Sequence, residues 1–157
     1  MSFVTDYLER RAVAFEVANH PRAVTSMEEA RALGITADEV VKTVAVSTDR
    51  GLALLVLPAS RRLDLRLARA AVGDQAARLA TEDELERTFG ECELGALPPL
   101  GSLLGVRAYL DPEVLEHDTV MFAAGTQTES VKARPADLFR DEQVQVTRLI
   151  KEPDESE

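Results

Sequence analysis

Apolar and polar positions change period several times along the chain, and each change predicts an element. Residues 13–17 (VAFEV) alternate and read as a strand. Residues 41–48 (VVKTVAVS) and 52–58 (LALLVLP) are apolar, rich in β-branched residues, and separated by the polar turn STDRG, so they predict a hairpin. Its spine pairs Lys42–Val46 with Leu52–Leu57. Helical signals lie around this pair. Thr5 opens TDYLERRA, and Ser26 or Thr25 caps TSMEEARALG, which Gly34 ends. Thr36 caps a short turn over TADEV. Asp64 and Gly73 bracket DLRLARAAVG, and Thr81 and Gly90 bracket TEDELERTFG.

Further strands are expected in ARLA, VRAYLD, TVMFAAG, ESVKAR and VQVTRLI. Helical turns are expected in PEVLEH and PADLFRD, each opened by a proline. GALPPLG reads as a rigid loop. Short strands and helices alternate too irregularly for a doubly wound parallel sheet, so the expected class is one mixed α/β (α+β) domain. It should span residues 1–150, leaving 151–157 (KEPDESE) as an acidic disordered tail.

Composition narrows the function. Aromatic residues are scarce, so the core must be aliphatic. Cys92 is the only cysteine, which rules out an internal disulfide and fits a reducing compartment. The opening MSFVTDYLERR lacks the basic-then-apolar order of a signal peptide, and no run is long enough to cross a bilayer. A soluble cytoplasmic protein without membrane attachment is expected. The net charge of −10 argues against a general nucleic-acid coat but leaves room for a local basic patch.

Several positions carry chemistry. His20, His117 and Cys92 form no ligand pair, so no metal site and no cofactor are expected. Cys92 reads first as a small, partly buried hydrophobe, and second as a thiol nucleophile whose histidine comes from elsewhere. In GALPPLG, Gly95 and Gly101 flank Pro98 and Pro99, which makes either a connector or a stiff pocket wall. In FAAGTQTES, Gly125 and Thr126 end a strand, as a polar turn or as donors to a substrate. His20 precedes Pro21 at a strand end. Arg62, Arg66 and Arg69 have helical spacing, as a solvated face or a phosphate-binding stripe. Lys42 is a cation in an otherwise buried strand, either reaching solvent or holding an anion at a pocket mouth.

The order of these segments resembles the YbaK/prolyl-tRNA synthetase-associated (ProX-like) editing domain family. The segments are a helix–strand–HP–helix opening, VVKTVAVS, LALLVLP, GALPPLG and FAAGTQTESVKARPADL. The likeness runs from about Thr5 to about Ile150, and it lies in the ordered set rather than in one motif. It implies a curved mixed sheet around a pocket with helices outside, and a hydrolase that deacylates mischarged aminoacyl-tRNA in trans.

It also implies roles. Lys42 matches the lysine that binds the phosphate at the tRNA 3′ end, and Thr43 the position where members carry Thr or Asn. Gly95 and Pro99 match a G-x-x-x-P element that Gly101 continues. Gly125 and Thr126 line the pocket's other side, and His20 lies in the HP segment. On this reading Lys42, Gly95 and Gly101 carry catalysis. Val44, Pro98, Pro99 and Thr126 exclude large side chains, and Arg61, Arg62, Arg66 and Arg69 contact tRNA. The partner is the acceptor end of a mischarged tRNA, with an aminoacyl-tRNA synthetase as a means of delivery. Ester hydrolysis requires a positioned water and an oxyanion donor, not a metal or a protein nucleophile. Three other readings stay open: a non-catalytic nucleotide or aminoacyl-end binding module, a Cys92 thiol enzyme, and an interaction domain. The edited amino acid and its tRNA are not legible.

Overall fold

The computed structural model describes residues 2–152. Helix α1 (Phe3–Arg10) begins two residues before the expected Thr5 cap. Ser2 is the N-cap, and Thr5 sits at N3, where its hydroxyl returns a bond to the Ser2 backbone. Strand β1 (Phe15–Asn19) also starts later than the alternation predicts. Val13 N–H still bonds back to Leu8 O, and Ala12 adopts φ +56 to turn the chain.

Helix α2 (Ser26–Leu33) has Thr25 as its cap, boxed by Glu28, and ends on left-handed Gly34. A 3-10 turn (Ala37–Glu39) leads into β2 (Val41–Thr48), which pairs antiparallel with β3 (Gly51–Pro58) in the expected register, Lys42 opposite Leu57. Helix α3 (Leu65–Val72) starts from Asp64, whose carboxylate accepts from the Arg66 and Leu67 amides. Strand β4 (Arg78–Leu79) and helix α4 (Glu82–Thr88) follow. Helix α4 has Phe89 as its C-cap, directly before the expected stop Gly90, and Phe89 is buried with Leu54 and Ala108.

GALPPLG is not wholly loop, since its last glycine opens helix α5 (Gly101–Leu104). Then come β5 (Arg107–Leu110), a 3-10 turn (Pro112–Glu116), β6 (Val120–Ala123), β7 (Glu129–Ala133), α6 (Pro135–Leu138) and β8 (Val144–Val146). The final strand is shorter than expected, and Ile150 makes only a single bridge to Leu63. Lys151 N–H bonds to Arg62 O, and residues 153–157 of the expected tail lie outside the described residues.

The mixed α+β class matches the expectation, with the strands divided between two sheets. One is antiparallel, in the order β1-β7-β6, and the other is mixed, in the order β4-β2-β3-β5-β8. Strands β3, β5 and β8 run parallel, while β4, β2 and β3 run antiparallel. A single parallel bridge, Val40 to Met121, joins the edges of the two sheets.

The larger sheet is covered on both faces, which explains why residues 53–57 of β3 are all buried. Strand side chains alternate between faces. Leu55 and Val46 pack with Ala68 and Val72 of α3, whereas Leu54 and Ala45 pack with Phe89 and Ala108. Leu55→Ala should therefore cost about 2–5 kcal/mol in urea unfolding, and Val146→Ala, at a half-exposed edge position, within about 0.5 kcal/mol.

Candidate functional site

Strand β2 divides the site. Thr43 and Ala45 leave on the face that carries Leu54, and Lys42, Val44 and Val46 leave on the α3 face. On the Thr43 side lies a cavity of about 530 Å³, within the range of about 300–1,000 Å³ usual for small-molecule sites. Its walls include Thr43, Ala45, Ala80, Leu85, Cys92 and Gly95. Val44 borders it, although the Val44 side chain packs toward α3.

The Gly95 wall is set by a close approach of two backbones. Gly95 has φ +78, and a Cβ there would lie 1.7 Å from the Val24 carbonyl oxygen, so no other residue fits. The same wall is joined to the Gly125 segment. Glu93 N–H donates to Gly125 O at 2.9 Å, and Gly125 N–H donates to Ala96 O at 3.0 Å. Gln127 N–H donates to the Glu93 carboxylate at 2.7 Å, and its side-chain amide donates to Leu94 O at 2.9 Å. Gly125 itself packs on the Phe3 ring. Among the described residues the Gly95 N–H donates to no partner.

Other expected residues sit differently. Pro98 and Pro99 are buried and stiffen the wall from behind; they are absent from the cavity lining. Gly101 packs against β5, where a Cβ would meet Ala108 Cβ at 2.9 Å. It borders a separate cleft of about 470 Å³ with Arg107, Tyr109 and Gln145. Gly95 and Gly101 are thus near in sequence but open on different hollows. Thr126 is outside the cavity lining, and its hydroxyl, like that of Thr43, is buried without a hydrogen-bond partner among the described residues. Orphaned buried hydroxyls are uncommon, and the Thr43 one belongs to a residue of the cavity wall.

Lys42 is half-buried on the opposite face of β2. Burial holds its pKa below the ordinary lysine value, and the Arg62 charge adds to this. Among the described residues its ammonium makes no hydrogen bond or ion pair.

The expected arginine stripe is corrected by the helix boundary. Helix α3 starts at Leu65, after its Asp64 cap, so Arg62 lies before the helix and out of register with Arg66 and Arg69. Arg61 pairs with Glu113 at 3.3 Å, Arg69 donates to Ala77 O at 2.9 Å, and Arg66 pairs with Asp64.

His20 has both ring nitrogens engaged within the protein. Nε2 lies 2.8 Å from Ser130 Oγ, and Nδ1 lies 2.8 Å from Pro21 O. Ser130 in turn donates to the Glu29 carboxylate. Neither Glu29 nor Ser130 was expected from the sequence. Glu29 sits in the first turn of α2, where acids are common for the helix dipole alone, so nothing local marks it as buried. Cys92 is half-buried in the cavity wall, and burial, helped by Glu91, pushes its thiol up to about 11. This disfavours the thiolate that a nucleophile needs. Among the described residues, no group of three or more His, Cys, Asp or Glu side chains is placed to hold a metal ion. No helix among them is long and apolar enough to cross a membrane.

The model of the aminoacyl-tRNA editing domain family matches residues 20–140, and the chain belongs to that family. It is 29% identical over 150 residues to the proline–tRNA ligase of Shouchella clausii (strain KSM-K16), covering 95% of this chain and 25% of that enzyme. The chain thus spans about a quarter of that relative's length. It is also similar to the crystal structure of a candidate trans-editing enzyme for prolyl tRNA synthetase, with 30% identity, a TM-score of 0.83 and 96% of each chain covered. A hypothetical protein of known crystal structure shares the fold at TM-score 0.86 and 22% identity, over 96% of this chain and 100% of its own.

Two outcomes follow from this geometry. Gly95→Ala should displace the wall and abolish turnover on any substrate of the cavity, while α1 and the β2–β3 hairpin remain folded by NMR. Alkylation of Cys92 by iodoacetamide at pH 8 should run at least about a hundredfold slower than for an ordinary free cysteine, because a thiol near 11 leaves little thiolate.

Proposed function

We propose that this protein hydrolyses, in trans, the ester bond of a mischarged tRNA carrying a small amino acid. The observation that carries the reading is Lys42. It is a desolvated cation without a partner among the described residues, set one residue from the cavity-lining Thr43 and beside Arg62. A terminal phosphate held by Lys42 would leave the aminoacyl group to enter the cavity past the edge of β2. Charge-assisted contacts of this kind are short and strong.

The remaining groups act on the ester. The Gly95 N–H polarises the carbonyl and stabilises the developing oxyanion. Gly95 is preferred to Gly101 for this role, because Gly101 borders the other cleft. The nucleophile is water, or a hydroxyl of the substrate that passes the acyl group on to water. The aliphatic walls and the stiff segment behind them select by size. Size selection is needed because one methylene is worth only about 1–3 kcal/mol in a single binding step. Arg62 and Arg66, both exposed, are the outward cations suited to the acceptor strand, and Arg61 and Arg69 are only partly exposed. The strongly acidic balance makes tRNA binding weak and salt-sensitive, so a synthetase that presents the tRNA is the natural partner. The reaction belongs in the cytoplasm with translation.

The test is deacylation of tRNAs charged with Ala, Ser, Thr, Cys and Pro at low salt. Selective turnover is expected, and Lys42→Ala should lower kcat/KM at least about tenfold, the scale of one lost charged hydrogen bond. Binding without turnover on every member would instead identify a non-catalytic module for the aminoacyl end. The pH dependence has a fixed sign. Only protonated Lys42 attracts phosphate, and its pKa is lowered, so affinity should fall with rising pH earlier than for an ordinary lysine. Lys42→Arg, charged throughout that window, should remove the fall.

A further inference from the structure

One buried polar cluster stands outside the chemistry described so far. Glu29, on the inner face of α2, is 3% exposed, and Ser130 in β7 is fully buried. A buried carboxylate is costly unless it is paired and hydrogen-bonded. Here it accepts from Ser130 Oγ at 2.5 Å, Oγ lies 2.8 Å from His20 Nε2, and His20 Nδ1 lies 2.8 Å from Pro21 O. The cluster joins three separate segments: α2, β7 and the turn after β1.

Its donor and acceptor roles interlock. A carbonyl oxygen only accepts, so His20 Nδ1 carries a hydrogen. Ser130 has a single hydroxyl hydrogen. When that hydrogen goes to the Glu29 carboxylate, Nε2 must donate to Oγ, and an imidazolium faces a carboxylate across the hydroxyl. When Glu29 is protonated, it donates to Oγ, Oγ donates to Nε2, and the imidazole is neutral. Both arrangements hold the same protons and the same bonds, and both keep hydrogen on Nδ1. Neither is the neutral Nε2–H tautomer. Burial raises the Glu29 pKa, which brings the two arrangements closer in free energy.

The turn anchored by this cluster reaches the cavity wall. His20 N–H donates to Thr128 O, Ala23 N–H donates to Gln127 O, and Val24 N–H donates to the Glu28 carboxylate. The Val24 carbonyl then meets Gly95 so closely that no Cβ fits between them.

We propose that Ser130 is a positioning residue for the hydrolysis: by locking His20 to Glu29 it holds the Val24 carbonyl against Gly95 and so fixes the direction of the Gly95 N–H. The proposal rests on the deacylase reading for its catalytic consequence, but not for its structural one. A small displacement of an oxyanion donor costs turnover more than binding, because the donor acts on charge that develops in the transition state.

The experiment uses the full chain labelled with 15N-histidine. Only two histidines are present, so His117→Gln assigns the spectrum. In the wild type, His20 should carry hydrogen on Nδ1, with no neutral Nε2–H form. Ser130→Ala should free Nε2 and raise amide exchange at Ala23, whose N–H donates to Gln127 O, about tenfold. It should also lower kcat on the hydrolysed aminoacyl-tRNA about tenfold while leaving KM within about twofold. Glu29→Gln should rescue, since its amide donates to Oγ and Oγ still donates to Nε2; the Nδ1 hydrogen stays, and kcat stays within about threefold. His20→Phe breaks the same chain from its outer end and carries the same expectation as Ser130→Ala if that variant does not fold. A neutral Nε2–H form in the wild type would overturn the proposal, as would unchanged Ala23 exchange and kcat in Ser130→Ala. If the wild type deacylates no tRNA, the deacylase reading fails, and the tautomer and the Ala23 exchange still decide whether the cluster holds the loop.

Discussion

The approach of Gly95 to the Val24 carbonyl is the contact on which the candidate site depends. It sets one wall of the cavity, where the Gly95 amide hydrogen has no partner among the described residues. It requires a glycine for two independent reasons, a positive φ and the absence of room for a Cβ. Backbone groups placed this tightly make good donors to developing charge, because they need no reorganisation when the charge appears. The cost of the arrangement is met elsewhere: the proline-stiffened run behind Gly95, the Gly125–Gln127 segment bonded to residues 93–96, and the His20–Ser130–Glu29 cluster beneath.

A second constraint comes from the pleat of β2. Alternation sends Lys42 and Thr43 to opposite faces, so a half-buried cation and a cavity-lining residue stand on the two sides of one strand. The strand is fixed by the register of the β2–β3 hairpin and by the burial of β3 on both faces. A slip of one residue would exchange the two faces and turn the lysine toward the side that carries Leu54 and Phe89. Packing of α3 against one face and of Phe89 against the other makes that slip prohibitive.

Charge is distributed in keeping with this division. Six of residues 82–93 beside the cavity are acidic and one is basic, whereas Arg62 lies beside Lys42. Thiol chemistry is disfavoured at Cys92 by burial, to which the neighbouring Glu91 adds.

The local grammar of the chain was legible from residues alone. Thr25 with Glu28, Thr81 with Glu84, Asp64 and Gly34 each act through neighbours within a few positions, and each capped or ended the helix expected of it. The hairpin register followed from the polar turn between two apolar runs, and the family followed from the order of segments. One boundary moved by local competition, Ser2 taking the cap from Thr5 three residues away. What lay beyond local reading was every contact between segments far apart in sequence. Nothing near Glu29 announces that it is buried under Ser130, and nothing in GALPPLG tells that Gly95 and Gly101 serve different hollows. Caps, turns and alternation are decided by covalent geometry and nearest neighbours, so the sequence determined them by itself. Which glycine faces the cavity, which side of β2 holds the lysine and which acid is desolvated depend on how the sheets and helices pack, and only the tertiary structure decided those.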